Sequence, residues 1–296
     1  MILVAGSANL DFVVRAGHIP APGETVLGRD FQTFPGGKGA NQAVACARAG
    51  GAATAMLCAL GDDDFAKPLL ASLADARVQL HPVRSSQPTG TAFICVSDEG
   101  ENAITVAPGA NEDLKPSHWP EHLHISHLLM QLETPVPTVL AFAQAARKQG
   151  AKVVLNAAPA RELPAELLGC IDILVVNEGE LATLAGKEGD VLAQLQRLAK
   201  QYHLHDVIVT LGAQGCLALH QGHVVQQKAY KIDVVDTTAA GDTFCGALVA
   251  ALTRGAAMQQ CLAEASAASA LACTKLGAQS SIPFREEVMA FMKNAS

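Results

Sequence analysis

HLLMQLETPVPTVLAFAQAARKQGAKVVLN, residues 127–156, reads as a strand, a helix and a second strand in succession. His127–Gln131 and Val153–Asn156 are short apolar runs of the length of a buried strand. Pro137–Gln149 between them is Ala-rich and of helical length. Two strands joined by such a crossover lie side by side and parallel, with the helix packed across them.

The same alternation runs outward in both directions. Further strand-like runs are Ile2–Ala5, Ala53–Leu60, Ile171–Val176 and Val207–Leu211. Helical stretches fall between them at Ala40–Ala49, Phe65–Ala76, Glu178–Ala185 and Val191–Gln201. Cys216–His220 and His223–Gln226 form a hairpin around Gln221-Gly222. Helices at Ala240–Thr253, Gln259–Cys273 and Glu286–Lys293 close the chain. The fold class expected is α/β, a doubly wound, mostly parallel sheet flanked by helices.

Two segments break the rhythm. Phe12–Pro35 and Thr89–Ala107 alternate apolar and polar residues and carry Pro and Gly punctuation. They are expected to pair as a small antiparallel β-sheet, a lid over the carboxyl edge of the large sheet, where such folds keep their ligands. The division expected is residues 1–11, 36–88 and 108–296 as the main domain, and 12–35 and 89–107 as the lid.

Composition narrows the function. The chain has 296 residues, a formal net charge of −7 and only 4% aromatic residues. With no basic run and few rings to stack bases, a nucleic-acid partner is not expected. The opening MILVAGSANLD lacks a basic leader and reads as a buried strand. No run reaches the ~18 apolar residues of a membrane span, so the expectation is a cytoplasmic protein. Eight scattered cysteines without a CxxC pair read as reduced, buried thiols. His118, His122, His124 and His127 cluster in sequence, but Pro120 interrupts them and no metal site is read there.

Three features carry chemistry. Asp236-Thr237-Thr238-Ala239-Ala240-Gly241-Asp242 puts small residues before a helix start, so the first N–H groups face outward as an anion site. Asp242 falls in that first turn, a position an ordinary helix-start acid also takes. Pro35-Gly36-Gly37-Lys38-Gly39-Ala40-Asn41 is a second glycine-rich helix entry; it is neither a Walker loop nor a GxGxxG fingerprint. Finally, Asn9, Asp11, Glu133, Asn177 and Glu180 stand at the ends of apolar strands, where they either cap helices or face the ligand crevice.

Together these motifs resemble the ribokinase family of sugar and nucleoside kinases. The likeness runs nearly end to end. It includes GSANLD (6–11), PAPGETVLG (20–28), GGKGANQAVA (36–45), EGEN (99–102), PGAN (108–111) and LLMQLE (128–133). It continues with NAAPARELP (156–164), VNEGE (176–180), VTLGAQG (209–215), DTTAAGDTF (236–244) and KLGAQSSIP (275–283). The resemblance implies ATP-dependent phosphorylation of a primary sugar hydroxyl, with the 5-hydroxyl of D-ribose the leading acceptor. Deoxyribose, a ketohexose or a nucleoside is the alternative, and a non-catalytic sugar binder a more distant one.

It also implies roles by position. Asp242 would be the general base, with the N–H groups of Ala239, Ala240, Gly241 and Asp242 as an anion hole. Asn9, Asp11, Gly37, Lys38, Asn41 and Glu133 would hold the sugar. Asn177 and Glu180 would organise Mg²⁺ near the ATP phosphates, and Thr210, Gly212, Gly215 and Ser266 would border the nucleotide. A monovalent cation, K⁺, would lie against Asp236, Thr238, Ala272, Lys275, Gly277 and Ser281. The lids would pair in a homodimer. Three positions depart from common family usage: Ala239 for a glycine, Ser266 for a His or Asn near adenine, and Pro108 for a His near the lid.

Overall fold

The computed structural model describes residues 1–294. β1 (Ile2–Ala5) sits inside a nine-stranded sheet and leads directly into β2 (Asn9–Ala16) of a second, four-stranded sheet. β3 (Arg29–Gly36) returns the chain to the body, followed by α1 (Lys38–Ala47), β4 (Thr54–Gly61), α2 (Ala66–Asp75) and β5 (Gln79–Ser85). β6 (Gly90–Ser97) and β7 (Asn102–Ala107) complete the second sheet. The chain then runs through β8 (His127–Met130), α3 (Val136–Lys148), β9 (Lys152–Asn156), α4 (Ala165–Leu168), β10 (Ile173–Asn177), α5 (Glu178–Ala185), α6 (Val191–Tyr202) and β11 (Asp206–Thr210). The hairpin β12 (Cys216–His220) and β13 (His223–Gln227) precedes α7 (Ala240–Thr253), α8 (Met258–Ala272) and α9 (Arg285–Asn294).

The main sheet has the order β13-β12-β11-β10-β9-β8-β1-β4-β5, parallel except for the β11-β12-β13 edge. Strand alternation divides its side chains between two cores. Ile2 and Val4 point into one core, against α1, α2, α7 and α8. Leu3 and Ala5 point into the other, against α3, α5 and α6. Both faces are covered, which is why the strands read as unbroken apolar runs. From β1 the chain winds outward first to β4 and β5, then from β8 in the opposite direction. The reversal falls between β1 and β8, and a crevice opens at their carboxyl ends.

Two expectations need correction. β5, with Pro82 at its middle, falls in none of the strand-like runs expected from the sequence. It is the edge strand beside β4, where a missing N–H is tolerated. The small sheet is not wholly antiparallel. β2–β3 and β6–β7 are antiparallel hairpins, but β2 and β6 pair in parallel at the centre, Asn9 opposite Gly90 through Ala16 opposite Ser97. The cause is topological: β2 follows β1 and β6 follows β5, so both leave the main sheet at the same edge and head the same way.

Candidate active site

The start of α1 is built by tight packing. Gly37 has φ +86°, and a Cβ there would lie 2.6 Å from the Asn9 nitrogen. A Cβ on Gly39 would lie 2.6 Å from the Ser7 backbone. The helix therefore begins against the β1–β2 turn and is capped from outside. Ser7 Oγ donates to Glu133 Oε2 at 2.6 Å, Lys38 N donates to the same oxygen at 3.1 Å, and Gly39 N donates to Ser7 Oγ at 3.2 Å. The Glu133 carboxylate so occupies the positive end of the helix dipole, with Oε1 left without a hydrogen-bond partner among the described residues.

α1 crosses α7 at close range. A Cβ on Gly246 would come within 2.5 Å of Ala45 Cβ and 2.7 Å of Cys46 N. This approach brings Asn41 and Gln42 onto the first turn of α7. Asn41 Nδ2 donates to Asp242 Oδ2 and Gln42 Nε2 to Asp242 Oδ1, each at 2.9 Å. Asn41 itself borders the larger cavity, and its Oδ1 is buried without a hydrogen-bond partner. At the helix entry Ala239 takes a left-handed conformation, φ 58°. The Ala240 N–H is engaged by Thr237 O at 3.2 Å, while those of Ala239, Gly241 and Asp242 meet no acceptor among the described residues.

Two cavities meet at this point. The larger, about 590 Å³, is bordered by Asn9, Asp11, Gly37, Lys38, Asn41, Glu133 and Asp242, and roofed by strands of the small sheet. The smaller, about 220 Å³, is bordered by Asn177, Glu180, Thr210, Ala239, Ala240 and Gly241. Lys38, Thr237, Ala239 and Asp242 border both. All six sugar-site positions expected from sequence thus come together. Gly212, Gly215 and Ser266 border neither cavity. Gly215 has a structural cause, since a Cβ there would lie 2.1 Å from Gln227 O. Ser266 lies buried in α8 beside Cys216, with Oγ 3.8 Å from Sγ.

Burial dominates the electrostatics. Asp11 is raised to about 7, first by burial and then by Glu133 and Asp242, with Lys38 opposing. Burial also raises Asp242, against Lys38 and the amide donors. For Lys38, burial pulls downward, but Asp242, Glu133 and Glu180 outweigh it and hold the ammonium above its ordinary range. Asn177 and Glu180 form a capping box for α5. Glu180 N donates to Asn177 Oδ1, and Asn177 N and Nδ2 donate to the two Glu180 oxygens, at 2.8–3.0 Å. The capping role is therefore real, alongside their place at the smaller cavity. Among the described residues no group of three or more His, Cys, Asp or Glu forms a metal cage. A magnesium ion arriving on phosphates needs only one or two carboxylates, and Glu180 at the smaller cavity is one that fits.

Asp236 ties the α7 entry to the loop after α8. Its Oδ1 accepts from Thr238 N and Oγ1 at 2.9 and 2.7 Å, and its Oδ2 from Gly277 N at 2.9 Å. Ala272 O accepts from Lys275 N at 3.2 Å, and buried Ser281 Oγ donates to Ala278 O at 2.8 Å. Hard carboxylate, hydroxyl and carbonyl oxygens are the donor chemistry a monovalent cation takes.

The pfkB family carbohydrate kinase model matches residues 1–285. This chain is a pfkB carbohydrate kinase family member. It is 40% identical over 303 residues to the ribokinase of Haemophilus influenzae, covering 99% of both chains. The crystal structure of Thermotoga maritima ribokinase superimposes with TM-score 0.91 at 36% identity, covering 99% of each chain. The structure of Arabidopsis thaliana ribokinase complexed with ribose and ATP gives 0.87 at 34% identity, covering 99% and 98%.

Sequence reasoning did not single out Ser7, Gln42, Asn111, Gln131 or Asn156. Asn111 Nδ2 donates to Asn9 Oδ1 at 2.7 Å and to Pro108 O at 3.0 Å, fixing the Asn9 amide. Gln131 and Asn156 do follow the strand-end signal that drew attention to Glu133 and Asn177.

Proposed function

We propose that this pfkB family member phosphorylates the 5-hydroxyl of D-ribose with ATP, the sugar in the larger cavity and the phosphates reaching it from the smaller one. The observation that carries the reading is Asp242 at the junction, bonded on both oxygens and bordering both spaces. Full-length similarity to ribokinases, one of them solved with ribose and ATP, supports the acceptor.

In this reading Asn9, Asp11, Gly37, Lys38, Asn41 and Glu133 hold the sugar hydroxyls. Asp242 takes the proton of the attacking hydroxyl, within hydrogen-bond reach as a general base requires. The free N–H groups of Ala239, Gly241 and Asp242 and the Lys38 ammonium receive the charge spread over the transferred phosphoryl group. Asn177, Glu180 and Thr210 face the phosphate side, with Asn177 and Glu180 the residues that would hold magnesium, which neutralises phosphate charge. Asp236, Thr238, Ala272, Lys275, Gly277 and Ser281 would hold K⁺ and so brace the loop that carries those N–H groups.

Residues 12–35 and 89–107 act as the lid over the main domain, residues 1–11, 36–88 and 108–296. On the cavity face of the lid Ile104 and Val106 stay exposed, an apolar surface suited to a second copy of the chain. The cytoplasm is the proposed setting, because it supplies ATP and keeps eight unpaired thiols reduced.

The test is ATP turnover with Mg²⁺ and K⁺ against ribose, deoxyribose, fructose and adenosine. Ribose-dependent turnover upholds the reading. Preference for another sugar moves the specificity, and sugar binding without turnover refutes it.

A further inference from the structure

Gln42 and Gln131 are fully buried and border neither cavity, yet they connect to the reacting centre. Gln131 Nε2 donates to Gln42 Oε1 at 2.5 Å. Gln42 Nε2 donates to Asp242 Oδ1 at 2.9 Å and to Asn156 Oδ1 at 3.0 Å. Asn156 Nδ2 donates in turn to Val175 O at 3.3 Å. The chain thus crosses from the end of β8, through α1, to the ends of β9 and β10. Room for it is reserved: Gln131 Oε1 lies 2.0 Å from where a Cβ on Gly6 would stand.

Burying a primary amide with a polar atom left unpaired is unfavourable, and Gln131 Oε1 is indeed left without a partner. Apolar residues would fill the same volume without that cost. What the amides supply is direction. Both Gln42 hydrogens meet acceptors and its oxygen meets a donor, so a flipped Gln42 would face Asp242 and Asn156 with an oxygen. The N–H aimed at Asp242 is therefore fixed by the residues behind it.

We propose that Gln42, oriented by Gln131 and Asn156, is a positioning residue for Asp242. It holds Oδ1 while Asn41 holds Oδ2, so that the carboxylate plane and its remaining lone pairs stay aimed at the sugar hydroxyl. The inference rests on the reading of Asp242 as the base. The other charged or titratable groups facing Asp242 are Lys38 on α1, Asp11 on β2, Glu133 after β8, Glu180 on α5 and Cys245 one turn on in α7. All are unchanged in Gln42 variants, so a variant-minus-wild-type difference reports Gln42 itself.

The experiment measures kcat and KM for sugar between pH 5.5 and 9 in wild type, Gln42→Met, Gln42→Glu and Gln131→Leu, with thermal melting to establish folding. Gln42→Met keeps the length and loses the donor; its kcat is expected to fall roughly 10–100-fold, the scale of a misplaced reacting group, with KM within about threefold of wild type. Gln42→Glu is expected to move the acidic limb of kcat to higher pH, because a second carboxyl beside Asp242 disfavours its ionised form. Gln131→Leu leaves Gln42 in place but unsupported, and its kcat falls by less. A folded Gln42→Met with kcat and acidic limb within twofold of wild type overturns the proposal. Should Gln42→Met not fold, Gln42→Glu with an unmoved acidic limb and Gln131→Leu with wild-type kcat overturn it equally. Wild-type protein without sugar-dependent ATP turnover refutes the kinase reading itself, an outcome separable from either.

Discussion

Asp242 and Asp11 are both buried acids, but the chain surrounds them differently. Asp242 accepts an amide hydrogen on each oxygen, whereas Asp11 accepts no hydrogen bond among the described residues. Replacing Asp242 with Asn is expected to lower turnover by about 10²–10⁴, the range of a positioned base, with sugar binding retained in calorimetry. Asp11 is held near 7, so its charge changes within the working range of the protein. Ionised carboxylates make the stronger hydrogen bonds to hydroxyls. The KM for sugar should therefore fall as pH rises through about 7, and Asp11→Asn should flatten that dependence. The same residue has an opposite effect on stability. The unfolded chain loses the Asp11 proton near 3.8 and the folded chain near 7, so stability declines as pH rises across that window. Asp11→Asn should thus be more stable than wild type at pH 8, by at most ~4 kcal/mol, and the gap should narrow at pH 5; denaturant melts at both values check the sign.

At the scale of elements, the decisive contact is the crossing of α1 and α7. Gly246 lets the helices touch, and that touch sets Asn41 and Gln42 against Asp242. Gly246→Val should wedge them apart, destabilise the fold by about 1–3 kcal/mol, and lower kcat more than KM, measured by melts and steady-state kinetics. α7 itself was legible from its small-residue entry, and α5 from its Asn177 and Glu180 start. What was hidden is pairing at long range. Gln42 and Asp242 are 200 residues apart in sequence, and nothing local to either announces the other. The parallel β2–β6 seam was hidden for the same reason, since hairpin signals describe only neighbouring strands. β5 was hidden by Pro82, which disqualifies a central strand but not an edge. At the candidate site, the residues facing the cavities were legible from motifs, while the buried amides behind them carry no charge and no special spacing.

At the scale of the whole molecule, the small sheet is the part least satisfied by the chain itself. Ile104 and Val106 lie on β7, an edge strand, and Phe93 lies on β6; all are exposed. Charge placed there, as in Ile104→Lys, should leave the monomer folded and shift the proposed lid-paired dimer to monomer in sedimentation velocity. A wild-type monomer at micromolar concentration would refute the lid-paired dimer. Ile104 also borders the larger cavity, so Ile104→Lys should raise KM for sugar directly, with little change on the ATP-facing side.

The distance in sequence between Gln42 and Asp242 has a consequence for how the protein is made. During translation α1 leaves the ribosome roughly two hundred residues before the helix that covers it. Until then the face of α1 that carries Ala45, Cys46 and the Gln42 amide lacks α7. The nascent chain must wait with this helix half-clothed, and Asp242 is not added until synthesis is about four-fifths complete. A ribosome stalled in the β12–β13 hairpin would hold most of the sheet but not Asp242.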